Sequence, residues 1–159
     1  MDIFDKDILS FWKALQLNQV QYIIVGGFAV KLNGVQHPTV DLDIWLNDTP
    51  DNRKAFRNAL VDCAMGDYPM IEQMQFLPNC TEFILHNGLW LDAITTVSGF
   101  DGQTFNHCLS SASIADVNGV NVPFLHLHQL IANKKAMNRP KDLVTIEALE
   151  NSIKLIEES

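Results

Sequence analysis

Two aspartates two positions apart are the clearest chemical signal in this sequence. Asp41 and Asp43 lie in residues 40–46, where apolar and acidic residues alternate as in a strand with one buried face. The side chains expected to share the core face are Val40, Leu42, Ile44 and Leu46. The two carboxylates then share the opposite face, where their charges repel each other. Because carboxylate oxygens are the ligands that Mg²⁺ prefers, the spacing predicts a face that binds a divalent cation.

A pair of glycines precedes the aspartates. Residues 22–25 form a short apolar, β-branched run that predicts a buried strand, and Gly26 and Gly27 follow it directly. Without a Cβ atom, these glycines allow a sharp turn and the close approach of a ligand. We expect a short helix over residues 28–33, whose first N–H groups are free to bind an anion. A diglycine after a strand is by itself usually only a turn, but its distance from the aspartates favours a phosphate site.

These residues resemble a known family. Gly26-Gly27, a spacer and then Asp41-Leu42-Asp43-Ile44 resemble the signature of the DNA polymerase β-like nucleotidyltransferase superfamily. The closer resemblance is to small prokaryotic members related to the AbiEii type of abortive-infection toxin, in which Arg-x-Thr-x precedes the acidic pair. Thr39 matches that pattern and is expected either to hydrogen-bond a phosphate or to favour the strand. His37 stands where the arginine is expected.

The resemblance implies a fold. It is an α+β nucleotidyltransferase fold, in which helices flank a mixed β-sheet and the chain ends in a helical hairpin. At 159 residues the chain is expected to form a single domain over residues 1–159.

A third aspartate lies in a predicted hairpin. Residues 81–86 and 89–94 are rich in strand-forming types, and Asn87-Gly88 between them favours a tight turn. Asp92 lies in the middle of the second run, where a carboxylate needs a partner. The resemblance implies that this residue is the third metal-binding carboxylate, which the family takes from a later, neighbouring strand. The alternative is a buried aspartate hydrogen-bonded to a turn.

The C-terminal part carries a basic cluster of Lys134, Lys135, Arg139 and Lys141 between two predicted helices. The first helix is expected to run to about Met137 and the second from Pro140 to the C-terminus. The segment resembles the family's C-terminal motif Lys-x-x-x-x-Arg-x-Lys-Asp, which implies nucleotide binding by Lys135, Arg139 and Lys141. We expect Lys135 to point at the triphosphate. The alternative is a solvated basic turn.

The remaining patterns predict elements that surround these motifs. We expect a helix over residues 2–17, a helix from Pro50 to about Ala64 that Thr49 caps, and a core-facing side of the last helix that includes Leu143. Residues 70–77 are expected to form either a strand or a short helix followed by a strand, which Pro78-Asn79 ends. Residues 100–116 are expected to be mostly loop with a short helix, and residues 117–125 an edge hairpin that turns at Asn118-Gly119.

Composition excludes several classes of protein. The net charge of −8 argues against general nucleic-acid binding, because phosphate backbones are bound mainly through Lys and Arg. No apolar run approaches the roughly 20 residues of a membrane span, and the N-terminus does not resemble a secretory signal. The chain has an odd number of widely spaced cysteines (Cys63, Cys80 and Cys108), which is typical of reduced thiols in the cytoplasm. We interpret His126 and His128 as structural, since no third zinc ligand lies near them in the sequence.

The resemblance implies a reaction. Asp41, Asp43 and Asp92 would hold two Mg²⁺ ions, with Mn²⁺ as a substitute, and an NMP group would pass from an NTP to a hydroxyl acceptor. Gly26, Gly27, Thr39 and the basic cluster would bind the nucleotide. The resemblance does not identify the acceptor, which could be tRNA, a protein or a small molecule such as an aminoglycoside. It also allows a toxin–antitoxin or phage-defence role with an antitoxin partner. The alternative function is a catalytically inactive nucleotide-binding or partner-binding module, which His37 favours.

Overall fold

The fold is described by a computed structural model that covers residues 2–73, 75–76 and 80–159. In these parts of the chain, helices and strands are interspersed. The elements are α1 Lys6–Leu17, β1 Tyr22–Val25, α2 Gly26–Leu32, β2 Asp41–Leu46, α3 Pro50–Asp62, α4 Met70–Gln73, β3 Thr81–Ile84, β4 Trp90–Ile94, α5 Phe105–Ser111, β5 Ser113–Val117, β6 Val120–Phe124, α6 Leu127–Met137 and α7 Asp142–Glu158.

The strands form one mixed sheet in the order β3-β4-β2-β1-β6-β5. The central strand β2 is antiparallel to β1 and parallel to β4, and β1 is in turn parallel to β6. Each edge strand, β3 and β5, is antiparallel to its neighbour. The predicted α+β fold with a mixed sheet is therefore confirmed, and α6 and α7 form the expected C-terminal helical pair.

Buried side chains pack against β1 and β2 on both sides of the sheet. The strand residues Ile23, Ile24 and Ile44 are fully buried. Trp12 of α1 is also fully buried, and its ring stacks on Tyr22 with 6.2 Å between the ring centroids. Because this much apolar surface is buried, the central strands are held firmly in place and fix the positions of the acidic residues.

A buried asparagine fixes the start of β1 and the end of β2. The Asn52 side chain accepts from the Gln21 N–H at 2.7 Å, and its amide donates to the carbonyl groups of Gln21 and Asn47 at 2.9 and 2.8 Å. Asn52 lies in the first turn of α3, which begins as predicted, with Thr49 as cap and Pro50 at the first position. The three bonds tie α3 to both strands and leave no polar group of that amide unsatisfied.

Several expected positions differ from the structure. Asp5 caps α1, so the helix starts at Lys6 and Phe4 lies before it, 53% exposed. Val40 precedes β2 and is 79% exposed, so the core face of the strand begins at Leu42. The prediction that Leu143 faces the core was also wrong, because burial of Asp142 and Thr145 sets the rotation of α7 and turns Leu143 outward.

The segment between β4 and α6 contains more regular structure than the pattern indicated. The short helix is α5, but residues 113–117 form β5, which pairs with β6 across the predicted Asn118-Gly119 turn. His126 caps α6 through its ring nitrogen, which accepts from the His128 N–H at 3.2 Å. Met70 begins the four-residue helix α4. The strand and turn predicted after it fall partly on Met74 and residues 77–79, which lie outside the described residues.

In the described part of the chain, none of the helices has the length and apolar character that a membrane span requires.

Candidate active site

Asp43 and Asp92 lie side by side. They are register partners on the parallel strands β2 and β4, so both side chains project from the same face of the sheet. Asp41, two residues before Asp43, projects from that face as well and pairs in register with Trp90.

Burial and mutual repulsion disfavour the charged form of this pair of carboxyl groups. Burial, the adjacent Asp92 side chain and the negative charge of Asp41 together raise the pKa of Asp43 to about 7, and the positive charge of Lys134 opposes them. The Oδ1 atom of Asp92 is buried and has no hydrogen-bond partner. A buried carboxylate oxygen without a partner is costly, so the site is built to receive a proton donor or a positive ion.

The diglycine turn packs directly against this pair. Gly26 follows Val25, the register partner of Asp43, and it has a φ of +67°, in the left-handed region that favours glycine. A Cβ atom on Gly26 would overlap Oδ2 of Asp43. On Gly27 it would lie 2.8 Å from Cδ2 of His37 and 3.1 Å from Cβ of Thr39. The helix α2 starts at Gly26 itself, two residues earlier than predicted.

A buried ion cluster supplies the positive charge. Nζ of Lys134 lies 3.3 Å from Oδ1 of Asp142, and Nε of Arg139 lies 2.6 Å from Oδ2 of the same carboxylate. Although burial would raise the pKa of Asp142, the hydrogen bonds from Arg139 and the charge of Lys134 lower it. Asn138, with φ and ψ of 51° and 46°, ends α6 in the left-handed conformation and turns the chain between the two cations.

Two adjoining cavities meet at these residues. The first, here called the carboxylate cavity, has a volume of about 330 Å³ and is lined by Val25, Gly26, Asp43, Cys80, Asp92, Ile94, Thr96, Val97, Ser98, Asn133, Lys134, Met137 and Arg139. The second, the basic cavity, has a volume of about 270 Å³ and is lined by Gly26, Gly27, His37, Thr39, Asp41, Asp43, Lys134, Arg139, Lys141 and Asp142. They share Gly26, Asp43, Lys134 and Arg139 as lining residues, so the two cavities are adjacent.

A larger cavity of about 480 Å³ lies elsewhere, between the end of α1 and the strands β5 and β6. Its described lining includes three glutamines but no carboxylate, lysine or arginine. Size alone therefore does not locate the chemistry, and the two smaller cavities hold the ionisable groups.

Most of the predicted site residues lie together around these two cavities. They are Gly26, Gly27, Thr39, Asp41, Asp43, Asp92, Arg139 and Lys141. Thr39 donates from its hydroxyl to the Asp41 carbonyl at 3.1 Å, which agrees with the alternative that it supports the strand. Among the described residues, no group of three or more His, Cys, Asp or Glu side chains is arranged as a metal site.

Lys135 lies apart from both cavities. Its ammonium group pairs with Glu150 at 2.7 Å on an exposed surface, and its neighbour Lys134 lines both cavities instead. The family motif places four residues between its lysine and its arginine, and counting back from Arg139 gives Lys134. The sequence therefore contained the signal that distinguishes the two lysines.

Cys80 was not predicted to be near the site. It lines the carboxylate cavity, and burial together with the charges of Asp92 and Asp43 raises the pKa of its thiol to about 12. The thiol is therefore neutral at ordinary pH and a poor nucleophile. Cys80 directly precedes β3, so the predicted hairpin of β3 with β4 was the signal that could have placed it near Asp92.

No protein-family model matches this sequence, and no curated protein shows significant sequence similarity to it. Two solved structures are similar to it in fold. The lincosamide antibiotic adenylyltransferase LnuA with bound lincomycin has a TM-score of 0.60 at 16% identity, over 92% of this chain and 96% of that chain. ANT(2")-Ia in complex with adenylyl-2"-tobramycin has a TM-score of 0.59 at 17% identity, over 92% and 87%. The likeness shows that this chain has the nucleotidyltransferase fold, as the sequence resemblance implied.

Proposed function

We propose that this protein is a metal-dependent nucleotidyltransferase that moves an NMP group from an NTP to a hydroxyl acceptor. The observation that carries the proposal is the pairing of Asp43 with Asp92 on adjacent parallel strands, next to Gly26 and the cation of Lys134. Two clustered carboxyl groups are thereby combined with a turn at which a Cβ atom would overlap Asp43.

The residues present fit a divalent metal ion. The buried Oδ1 atom of Asp92 has no hydrogen-bond partner, and the pKa of Asp43 is raised because burial and Asp92 disfavour its charge. The donors are carboxylate oxygens, which suit Mg²⁺ and Mn²⁺. Asp43 and Asp92 would hold the metal, with Asp41 as the third ligand of a two-ion site. Bound there, the metal would lower the pKa of the attacking hydroxyl and neutralise charge on the leaving group.

The basic cavity is proposed to hold the β and γ phosphates. Gly26 and Gly27 allow close approach of a phosphate oxygen, and Lys134, Arg139 and Lys141 surround the same space. We assign to Lys134 the contact first expected from Lys135. Asp142 holds Lys134 and Arg139 in place before a ligand arrives, which reduces the cost of ordering them.

The chain's own groups then account for the transfer. The acceptor oxygen forms a bond to the α-phosphorus, the bond from that phosphorus to the bridging oxygen breaks, and pyrophosphate leaves. The proton of the acceptor hydroxyl passes to a base, and Asp92 has a free buried oxygen that can take it. Positioning and electrostatics contribute most of the rate, as in phosphoryl transfer generally.

Among the acceptors, a small molecule is the one we propose. One of the two structural neighbours is a lincosamide antibiotic adenylyltransferase, and the other is a complex with an adenylylated tobramycin. The net charge of −8 disfavours an RNA acceptor. The AbiEii-type relationship, an antitoxin partner, a single domain over residues 1–159 and a cytoplasmic location remain part of the proposal. A small protein that co-purifies with the native chain would support the antitoxin partner.

One observation favours the second candidate, an inactive nucleotide-binding module. Among the described residues, no group of three acidic, histidine or cysteine side chains is arranged as a metal site. His37, which packs near Gly27, also stands where an arginine is expected. Such a module would bind the nucleotide without turning it over.

Calorimetry and a pyrophosphate assay separate these functions. The protein is titrated with each of the four NTPs, with and without Mg²⁺ or Mn²⁺, and release of pyrophosphate is followed with a panel of hydroxyl acceptors. Metal-dependent binding with release that Asp43→Asn abolishes is the expected result. Binding without release would identify the module, and absence of nucleotide binding in the wild-type protein would overturn both.

A further inference from the structure

The carboxylate cavity carries an inference about the acceptor. We infer that the acceptor occupies this cavity and is a compact, uncharged hydroxyl compound with an apolar part, rather than a polyamine. The inference rests on the proposed function, because it assumes that an NTP is bound with its phosphates in the basic cavity. It concerns the class of acceptor, which the fold does not determine.

The direction of displacement separates the two ligands. In phosphoryl transfer the attacking and leaving oxygens are roughly in line on opposite sides of the phosphorus. The leaving pyrophosphate would lie among Gly27, Lys141 and the other lining groups of the basic cavity. The attacking hydroxyl must then approach from the opposite side of the phosphorus, and the adjacent carboxylate cavity, which shares Asp43 with the basic cavity, offers space for it.

The far wall of the carboxylate cavity is apolar and neutral. Ile94, Val97 and Met137 contribute apolar surface. The polar side chains between them are neutral, and they are Thr96, Ser98 and Asn133. Such a wall suits a ligand that is partly apolar and forms a few hydrogen bonds.

The same wall is held firmly in place. The amide of Asn133 donates to the Ser98 carbonyl at 2.9 Å. Gly99 lies so close to α6 that a Cβ atom there would be 2.8 Å from the carbonyl oxygen of Ala132. The segment after β4 therefore packs tightly on α6, so the shape of the cavity is set before a ligand binds.

Charge excludes a polyamine. Among the described residues that line this cavity, the carboxylates are Asp43 and Asp92, and both are proposed to face the metal. The other charged lining groups are Lys134 and Arg139, which are positive. Because both cations are paired with Asp142 and both carboxylates would face the metal, a cationic acceptor would find no carboxylate of its own among these lining residues. The volume of about 330 Å³ is near the lower end for ligand sites, so the acceptor is compact.

Matched pairs of small hydroxyl compounds test the inference. Each pair differs by exchange of one hydroxyl for an amine, such as phenyl glucoside and phenyl glucosaminide. Binding is measured by calorimetry on the wild-type protein with Mg²⁺ and a nonhydrolysable NTP. We expect the neutral compound to bind at least about tenfold more tightly than its amine. Equal or tighter binding of the amines, or no binding of the neutral compounds, would overturn the inference.

A variant of the apolar wall localises the effect. Met137→Glu adds a carboxylate at a side chain that is 40% exposed, and Met70→Glu is the matched control at 44% exposure outside both cavities. We expect Met137→Glu to lower the preference for the neutral compound by about tenfold, with nucleotide affinity unchanged, and Met70→Glu to change neither.

If Met137→Glu weakens nucleotide binding instead, the cavity holds the nucleoside and the inference is wrong. The proposed function fails in a different way, through loss of nucleotide binding in the wild-type protein.

Discussion

Asp43 and Asp92 are register partners on adjacent parallel strands, so two carboxyl groups that would both carry negative charge at neutral pH in water project from the same face of the sheet. Burial and the adjacent Asp92 raise the pKa of Asp43, and the buried Oδ1 of Asp92 has no hydrogen-bond partner. A protein that needed only stability would gain by replacing one of the two with an uncharged residue. The persistence of the pair in a buried position is best explained by a positive ligand.

Replacement of Asp43 by asparagine is the direct test of this explanation. Asp43→Asn keeps the shape but removes a charged metal ligand, so we expect pyrophosphate release to fall by about a thousandfold or more. Asp101→Asn, in an exposed loop, is the matched control and should leave the rate unchanged. Near-normal turnover by a well-folded Asp43→Asn protein would remove Asp43 from the mechanism.

The same substitution should stabilise the metal-free protein. In the folded chain the pKa of Asp43 is about 7, above its ordinary value of 3.8, so the folded state holds a proton that the unfolded chain releases. This contribution to stability is present below about pH 4 and is lost as the pH rises through about 7. With EDTA present, we expect the wild-type protein to lose roughly 1–3 kcal/mol relative to Asp43→Asn between pH 5 and 8.

Urea unfolding at a series of pH values measures this difference. Comparison with Asp43→Asn cancels titrating groups that do not interact with Asp43, such as His37, whose pKa is lowered by burial and by the charge of Lys134. Mg²⁺ added at pH 8 should restore stability to the wild-type protein but not to the variant. Parallel pH curves for the two proteins, with no effect of Mg²⁺, would argue against a raised pKa at Asp43.

Sequence patterns predicted those site residues whose positions depend on a single strand or turn. The alternating pattern around Asp41 and Asp43 depends on one strand, and the position of Gly26 depends on one turn. All three residues line the cavities of the candidate site. The position of Asp92 could not be predicted from the pattern of one strand, because only the pairing of β2 with β4 brings Asp92 next to Asp43. The family resemblance supplied that pairing, which alternation within one strand does not contain.

Residues whose position depends on tertiary packing were missed. Lys134 and Lys135 are one residue apart on α6, so a rotation of about 100° decides which of them faces the site. The buried contact between Lys134 and Asp142 determines that rotation, and it also turns Leu143 out to solvent. Cys80 reaches the site through the pairing of β3 with β4, which the hairpin signal predicted, but no motif marked Cys80 itself as a site residue.

Gly26 offers a test of how tightly the turn packs on the carboxylates. In Gly26→Ala the new Cβ would overlap Oδ2 of Asp43, and the φ of +67° is unfavourable for alanine. Gly34→Ala is the matched control, because φ is +86° but nothing lies within 4 Å of its Cβ. We expect both to lose about 1–2 kcal/mol of unfolding free energy from strain, and Gly26→Ala to lose roughly 1–3 kcal/mol more.

Activity should separate these two alanine variants further. Displacement of the Asp43 carboxylate in Gly26→Ala is expected to reduce metal-dependent nucleotide binding at least about tenfold, whereas Gly34→Ala keeps wild-type affinity. Both are measured by calorimetry at a temperature where each protein is folded. Equal nucleotide affinity in the two variants would show that Gly26 serves only the turn.

The neighbouring lysines on α6 distinguish a site residue from a surface residue. Lys134→Met removes the cation that lines both cavities, and we expect nucleotide affinity to fall about tenfold or more. Asp142 keeps both bonds from Arg139, so the fold should survive, which thermal unfolding checks. Lys135→Met breaks only an exposed pair with Glu150, worth about 0–1 kcal/mol, and should leave affinity unchanged. A larger loss of affinity for Lys135→Met than for Lys134→Met would return the phosphate contact to Lys135 and require α6 to rotate when nucleotide binds.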